Sequence, residues 1–169
     1  MTEQSNNQMK LIDFMQTNPE GTLEKIAQDY QVSLSEVIQA LPNVKLADGN
    51  QFDTIWQEVE TWGEITFLIH TKDIIAEFSG ELPSGSHRAG YFNLKHKQGL
   101  SGHIKAEHCQ QIAFIERNFM KMSTASIIFL NKHGEAMFKI FVGRDSHHQL
   151  KADQLDKFKA LAQRYNKKI

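Results

Sequence analysis

The sequence predicts an α+β fold in which antiparallel β-sheet carries helices gathered at its two ends. Three observations carry this. Apolar residues recur at helical spacing through the first third of the chain. From residue 64 the period changes to two and holds to residue 143, over about seven short strands with no helix between them. A final apolar stripe at helical spacing then closes the chain. One domain is expected over residues 1–169, with a helical part about 9–62, a β part about 64–143 and a C-terminal helix about 149–165.

Each element has its own signal. Residues 1–8 are polar and are expected to fray. Met9 to Gln16 forms a short helix around Leu11, Ile12, Phe14 and Met15, and Pro19 and Gly21 end it. Thr22 precedes a second stripe, Leu23, Ile26 and Ala27. Ser33 and Glu36 have capping-box spacing, so a third helix starts there and stops at Pro42. Phe52, Ile55, Trp56, Val59 and Trp62 mark the clearest amphipathic helix, with Gly63 as its C-cap or turn.

The strands follow as 64–71, 73–80, 91–95, 101–107 and 109–117. Residues 81–90, "ELPSGSHRAG", form a loop by composition, 96–100 a turn, and 118–122 a further loop. "TASIIFLN" (124–131) and "EAMFKIFVG" (135–143) make a hairpin with Gly134 in its turn. Leu150, Leu155, Phe158, Leu161, Ala162 and Tyr165 form the apolar face of the last helix. There is no internal repeat and no low-complexity segment.

Composition narrows the function classes. With 40% hydrophobic and 23% charged residues, the chain has material for a real core. A net charge of −1 gives no global pull toward nucleic acid or anionic membrane. A single cysteine cannot form an internal disulfide. The N-terminus lacks a basic region followed by an apolar one, and no apolar run reaches about 18 residues. A cytoplasmic, reduced, soluble protein with no membrane insertion is expected.

The helices around "DYQVS" resemble a helix-turn-helix. Charge argues against a DNA reader. Over residues 1–50, Lys10, Lys25 and Lys45 face Glu3, Asp13, Glu20, Glu24, Asp29, Glu36 and Asp48, and residues 33–41 contain no lysine or arginine. A duplex binder must first neutralise phosphates. A small helical packing unit, and no nucleic acid partner, is therefore expected.

The chemistry candidates centre on "GHIKAEHC" (102–109). His108 and Cys109 are adjacent, so on a strand they point to opposite faces and cannot pair as base and thiolate. Cys109 is expected to be structural. Zinc fits no better, because structural zinc takes four N or S ligands, usually in tight pairs. Here one cysteine accompanies histidines scattered at 70, 87, 96, 103, 108, 133, 147 and 148. His96 and His133 fall in turns, His147 and His148 precede a helix, and His108 falls on the apolar parity with Ile104 and Ala106, or at a bend.

Strand parity separates two histidines from the rest. His103 shares a face with Lys105, opposite Ile104 and Ala106. His70 shares a face with Thr66 and Leu68, opposite Ile65, Phe67 and Ile69. Each lies on the less apolar side of its strand, and Gly102 leaves room beside His103 for a flat group. Solvent-exposed strand histidines fit the same parity.

"FDTIW", "FSGELPSG", "GYFNL", "SGHIKAE", "IERNFM" and "TASIIFLNKHGEAMFKIFVGRD" together resemble the haem-utilisation cytosolic carrier family of HutX/ChuX/HuvX type, over about residues 11 to 165. The resemblance implies a bacterial intracellular haem-binding protein of haem-utilisation fold, working in iron acquisition. It implies a homodimer, with each chain like half of a larger duplicated relative. The cargo would be haem (protohaem IX), held and then delivered to a haem-degrading enzyme. A haem-degrading activity with an external reductant is the alternative. The family's haem-associated histidines fall on His70 and His103. Tyr91, Met120 and Met122 stay open as iron ligands. Arg88, Lys105 and Arg144 are candidate propionate partners, because cations suit carboxylates, with solvated surface cations as the plainer role. Phe92, Leu94, Ile115 and Phe119 are candidates for an apolar platform, with ordinary core as the plainer role.

Overall fold

The computed structural model describes residues 2–95 and 99–165. Five helices are present among them: α1 (Glu3–Gln16), α2 (Leu23–Tyr30), α3 (Leu34–Gln39), α4 (Phe52–Val59) and α5 (Ala152–Ala162). Nine strands accompany them: β1 (Lys45–Asp48), β2 (Glu64–His70), β3 (Ile75–Glu81), β4 (Ser84–Arg88), β5 (Tyr91–Lys95), β6 (Gly102–Ile104), β7 (Cys109–Phe119), β8 (Met122–Asn131) and β9 (Ala136–Phe141). They form a six-stranded sheet in the order β1-β7-β8-β9-β2-β3 and a three-stranded sheet in the order β4-β5-β6, with every pairing antiparallel.

The large sheet separates two cores, and its central strands show why. Along β8, Ile127 and Phe129 face one core while Ile128 and Leu130 face the other. Along β7, Ile112 and Phe114 alternate likewise with Ala113 and Ile115. Period-two alternation with both faces apolar gives a strand covered on both sides. One cover is α1, α2 and α3, through Leu11, Met15, Leu23, Ile26, Val37 and Ile38. The would-be recognition helix α3 thus spends its apolar face on the sheet.

The other cover is α4, α5 and the small sheet. Trp56 is fully buried there and donates from Nε1 to the Pro83 carbonyl at 2.8 Å. Phe52, Phe92 and Phe138 surround it. The Phe92 ring also lies over Gly85, where an added Cβ would come within 2.2 Å of the ring. That contact fixes how β5 lies on β4.

Caps follow the sequence signals. Thr22 Oγ1 accepts from the Lys25 amide and Ser33 Oγ from the Glu36 amide, each satisfying a free amide of its helix.

Several boundaries differ from the sequence reading. Helix α1 starts at Glu3, not Met9, because polar residues build an exposed helical turn without an apolar stripe. Strand β1 falls inside the stretch read as helical, and pairing with β7 makes it a strand. Residues 84–88, read as loop, form β4 because β5 offers a partner edge. The expected loop at 118–122 is a tight hairpin, with Met120 and Lys121 at φ of 50° and 62°. Residues 101–107 are not one strand. β6 ends at Ile104, and Ala106–His108 form a 3-10 turn. His108 is therefore exposed rather than on an apolar strand face. The final helix spans 152–162, inside the expected 149–165. The expected turn at His96 lies outside the described residues.

Candidate functional site

His70 and His103 lie on different sheets. His70 ends β2 on the face that α2 covers, with its side chain 20% exposed. Direct pairing sets Ile128, Lys139, Leu68 and Glu77 in one row across four strands, and His70 is one same-face step beyond Leu68. Glu24, in the first turn of α2, reaches down to this row. Its Oε1 accepts from the buried Lys139 Nζ and lies 3.4 Å from His70 Nδ1. Burial pushes the Glu24 carboxyl up. The Lys139 ammonium and its hydrogen bond outweigh that, with help from His70, so the group ends below the usual carboxylate range.

His70 opens onto a cavity of about 210 Å³ with Leu68, Ile75, Phe119, Ile128 and Phe141 on its walls. His70 also lines a second cavity of about 820 Å³, with Glu24, Lys25, Thr71 and Lys72, within the roughly 300–1,000 Å³ of a pocket that encloses an organic ligand. Arg117 stands at the smaller cavity. Its two terminal nitrogens donate to the Gly21 and Pro19 carbonyls at 2.7 Å each, which pins the loop before α2 to β7.

His103 lies directly opposite Asn93 on β5. Its Nδ1 is 2.5 Å from Asn93 Oδ1. Asn93 Nδ2 faces three carbonyl oxygens, those of Ser86, Arg88 and Tyr91, at 3.3, 3.1 and 3.1 Å. Those acceptors assign the amide nitrogen and leave Oδ1 toward the histidine. Nδ1 of His103 therefore donates, and in the neutral ring Nε2 keeps its lone pair.

Tyr91 meets the His103 ring edge-on at 5.8 Å, and Lys105 Nζ sits 4.3 Å over the Tyr91 ring. An open groove of about 600 Å³ runs along Arg88, Tyr91, Asn93 and His103. An added Cβ at Gly102 would meet nothing within 4 Å, so room exists beside His103.

The other candidates divide clearly. Arg88 and Lys105 belong to the His103 groove and its Tyr91 wall. Lys105 is there although it lies beyond β6. Arg144 does not join either site, because it donates to the His148 and Ser123 carbonyls at 3.0 and 2.7 Å. Phe92 and Ile115 are core, Leu94 packs against it, and Phe119 lines the His70 cavity. Met120 and Met122 are exposed at the β7–β8 turn. Cys109 is buried, and burial pushes its thiol up to about 12, so it is no nucleophile at neutral pH. No group of three or more histidine, cysteine or acidic residues able to hold a metal ion exists among the described residues. Among the cavities described, none has both His70 and His103 on its wall.

Comparison with known proteins places the chain. The model of the family Haem utilisation ChuX/HutX matches residues 45–161. The intracellular heme transport protein HutX of Vibrio cholerae serotype O1 is 29% identical over 161 residues, covering 94% of this chain and 83% of that protein. The structure of the heme binding protein ChuX is similar at 55% identity and a TM-score of 0.86, covering 91% of this chain and 97% of that one. A protein from Erwinia carotovora is similar at 56% identity and a TM-score of 0.90, covering 92% and 98%.

Proposed function

The chain belongs to the ChuX/HutX haem-utilisation family, and on that premise we propose that it is a haem carrier, which binds protohaem IX reversibly and passes it to a haem-degrading enzyme. The observation that carries this reading is the hydrogen bond from His103 Nδ1 to Asn93. It leaves an imidazole lone pair at Nε2 in an open groove, beside two cations and an aromatic ring. Haem iron takes a neutral imidazole, and its propionates take cations, so this donor set fits the cargo. Arg88 and Lys105 are the propionate partners on this side. His70, with its aliphatic and aromatic walls, is the second candidate ligand.

The two histidines line separate open sites. His103 lies on its open groove, and His70 stands between a cavity of about 210 Å³ and one of about 820 Å³. Both lie close to free sheet edges: β2 is next to the edge strand β3, and β6 is itself an edge. A homodimer in which one chain's edge meets the other's supplies the missing wall. Carriage suits such open half-sites, because a closed cage with two ligands releases slowly.

No helix among the described residues is long and apolar enough to cross a membrane. The proposed setting is the cytoplasm.

A turnover assay with haem-loaded protein, an external reductant and catalase tests the carrier reading. Haem should persist, and should move to a haem-degrading acceptor on mixing. Biliverdin-like product formed in stoichiometric yield by this protein alone would replace the carrier with an enzyme.

A further inference from the structure

The two sides of His70 differ in chemistry. On one side, the cavity of about 210 Å³ is walled by Leu68, Ile75, Phe119, Ile128 and Phe141. On the other, the cavity of about 820 Å³ lies between α2 and the end of β2, and it carries Lys25 and Lys72. The two adjoin, with Thr22, Glu24 and His70 on the walls of both. We propose that the larger cavity is the carboxylate-binding half of the His70 site, with Lys72 as its main cation and Lys25 as its second, while the smaller cavity takes the uncharged edge of the same ligand.

Lys72 follows His70 by two residues, in the turn that joins β2 to β3. That turn is held by its own hydrogen bonds. The Thr71 amide donates to the Ile74 carbonyl at 2.8 Å, and Thr71 Oγ1 accepts from the Asp73 and Ile74 amides at 3.3 and 3.1 Å. The backbone of Lys72 is therefore fixed close to the imidazole, while its exposed side chain can swing over the cavity.

The charges single out the same lysine. Apart from His70, the ionisable groups on the larger cavity are Glu24, Lys25, Lys72 and Glu135. Glu24 is committed to Lys139, and Lys25 to Asp29. Lys72 forms no ion pair among the described residues, so an incoming carboxylate meets a cation that no acid already neutralises. The exposed Lys25–Asp29 pair contributes little, so Lys25 can turn to a second carboxylate. The smaller cavity offers a carboxylate nothing comparable. Its Lys139 is held by Glu24, the terminal nitrogens of Arg117 by main-chain carbonyls, and Glu77 adds a negative charge. The two cavities thus select opposite ends of a ligand with one apolar and one acidic edge.

Haem is that ligand on the carrier reading, on which this assignment rests, and its two propionates lie together on one edge. Haem dimethyl ester, in which both propionates are capped, is the matching probe. Both compounds should be titrated into the unsubstituted protein, Lys72→Ala, Lys72→Glu, Lys25→Ala and His70→Ala, with Arg88→Ala as the comparison at the His103 groove. Lys72 is exposed, so its substitutions leave the fold intact. The unsubstituted protein should bind haem about tenfold more tightly than the ester. Lys72→Ala should weaken haem binding about threefold to tenfold, Lys72→Glu more, and neither should change ester binding by more than about twofold. Lys25→Ala should act in the same direction and less. Raised salt should shrink the preference for haem over ester. The Soret band should keep its position in the lysine variants, where the iron ligand is untouched, and move in His70→Ala.

Equal affinity for haem and ester, or haem binding by Lys72→Glu as tight as in the unsubstituted protein, overturns the assignment and leaves the carrier reading standing. So does a preference for haem that Arg88→Ala abolishes and the lysine variants keep, because the carboxylates then lie in the His103 groove. If the unsubstituted protein binds neither compound, the carrier reading itself fails, and the assignment falls with it.

Discussion

Lys139 reaches from the middle of the six-stranded sheet to Glu24 on α2, so a buried ammonium is neutralised from the helical layer above it. The Lys139 side chain is 8% exposed and that of Glu24 27%. Removing one partner of such a pair leaves a desolvated charge, whereas removing both leaves an apolar interface. Glu24→Ala should therefore cost about 3 kcal/mol in urea denaturation. Lys139→Met combined with Glu24→Leu should recover most of that loss. A double variant as unstable as the single one would show that the pair is not what joins α2 to the sheet.

Arg117 ties the Pro19–Gly21 loop down with two hydrogen bonds from one guanidinium. A lysine carries the charge but lacks the fork. Arg117→Lys should lower stability by about 2 kcal/mol, and limited proteolysis should then cut between residues 18 and 22. Resistance equal to that of the unsubstituted protein would refute the clamp.

Gly49 begins a 3-10 turn pressed against the start of β7. A Cβ there would lie 1.9 Å from the Cys109 carbonyl oxygen and 2.5 Å from its carbon. Main chain cannot yield as a side-chain tip does. Gly49→Ala should cost at least about 3 kcal/mol in a denaturant titration. A loss under about 1 kcal/mol would mean that β7 shifts freely there.

Burial pushes the Cys109 thiol up to about 12, above its unfolded value. Its neutral form is thus favoured by folding. The contribution is complete below about pH 9 and is lost as pH rises toward 12, because the unfolded chain releases a proton that the folded chain keeps. Stability against pH should fall in that window by about 1 kcal/mol per unit more than in Cys109→Ala. Parallel curves for the two proteins would place the thiol in solvent.

The fold was legible where one element's pattern decided its structure. The stripe Phe52, Ile55, Trp56 and Val59 of α4 and the hairpin of β8 and β9 needed no distant partner to be recognised. Strands β1 and β4 were not legible, since "KLAD" and "SGSHR" become strands only when β7 and β5 offer hydrogen bonds. Parity gave the face of His70, because β2 is a regular strand, but could not choose between strand and bend for His108, and the chain turns into a 3-10 helix after β6.

The partners of the two histidines were hidden for a different reason. Asn93 is paired with His103 by sheet register, ten residues away. Glu24 meets His70 only because α2 folds over the sheet. Lys139 did leave a trace, as the lone charge in the apolar run "EAMFKIFVG" after Glu135. A buried lysine demands a carboxylate, and nothing in the sequence names which one.

A haem titration followed by visible absorption asks whether this chain holds haem through histidine. A Soret band should saturate at about one haem per chain, with His70→Ala and His103→Ala each altering its position or weakening binding. Failure to bind haem at micromolar concentration, or identical spectra and affinities for both single variants and the double variant, would contradict it.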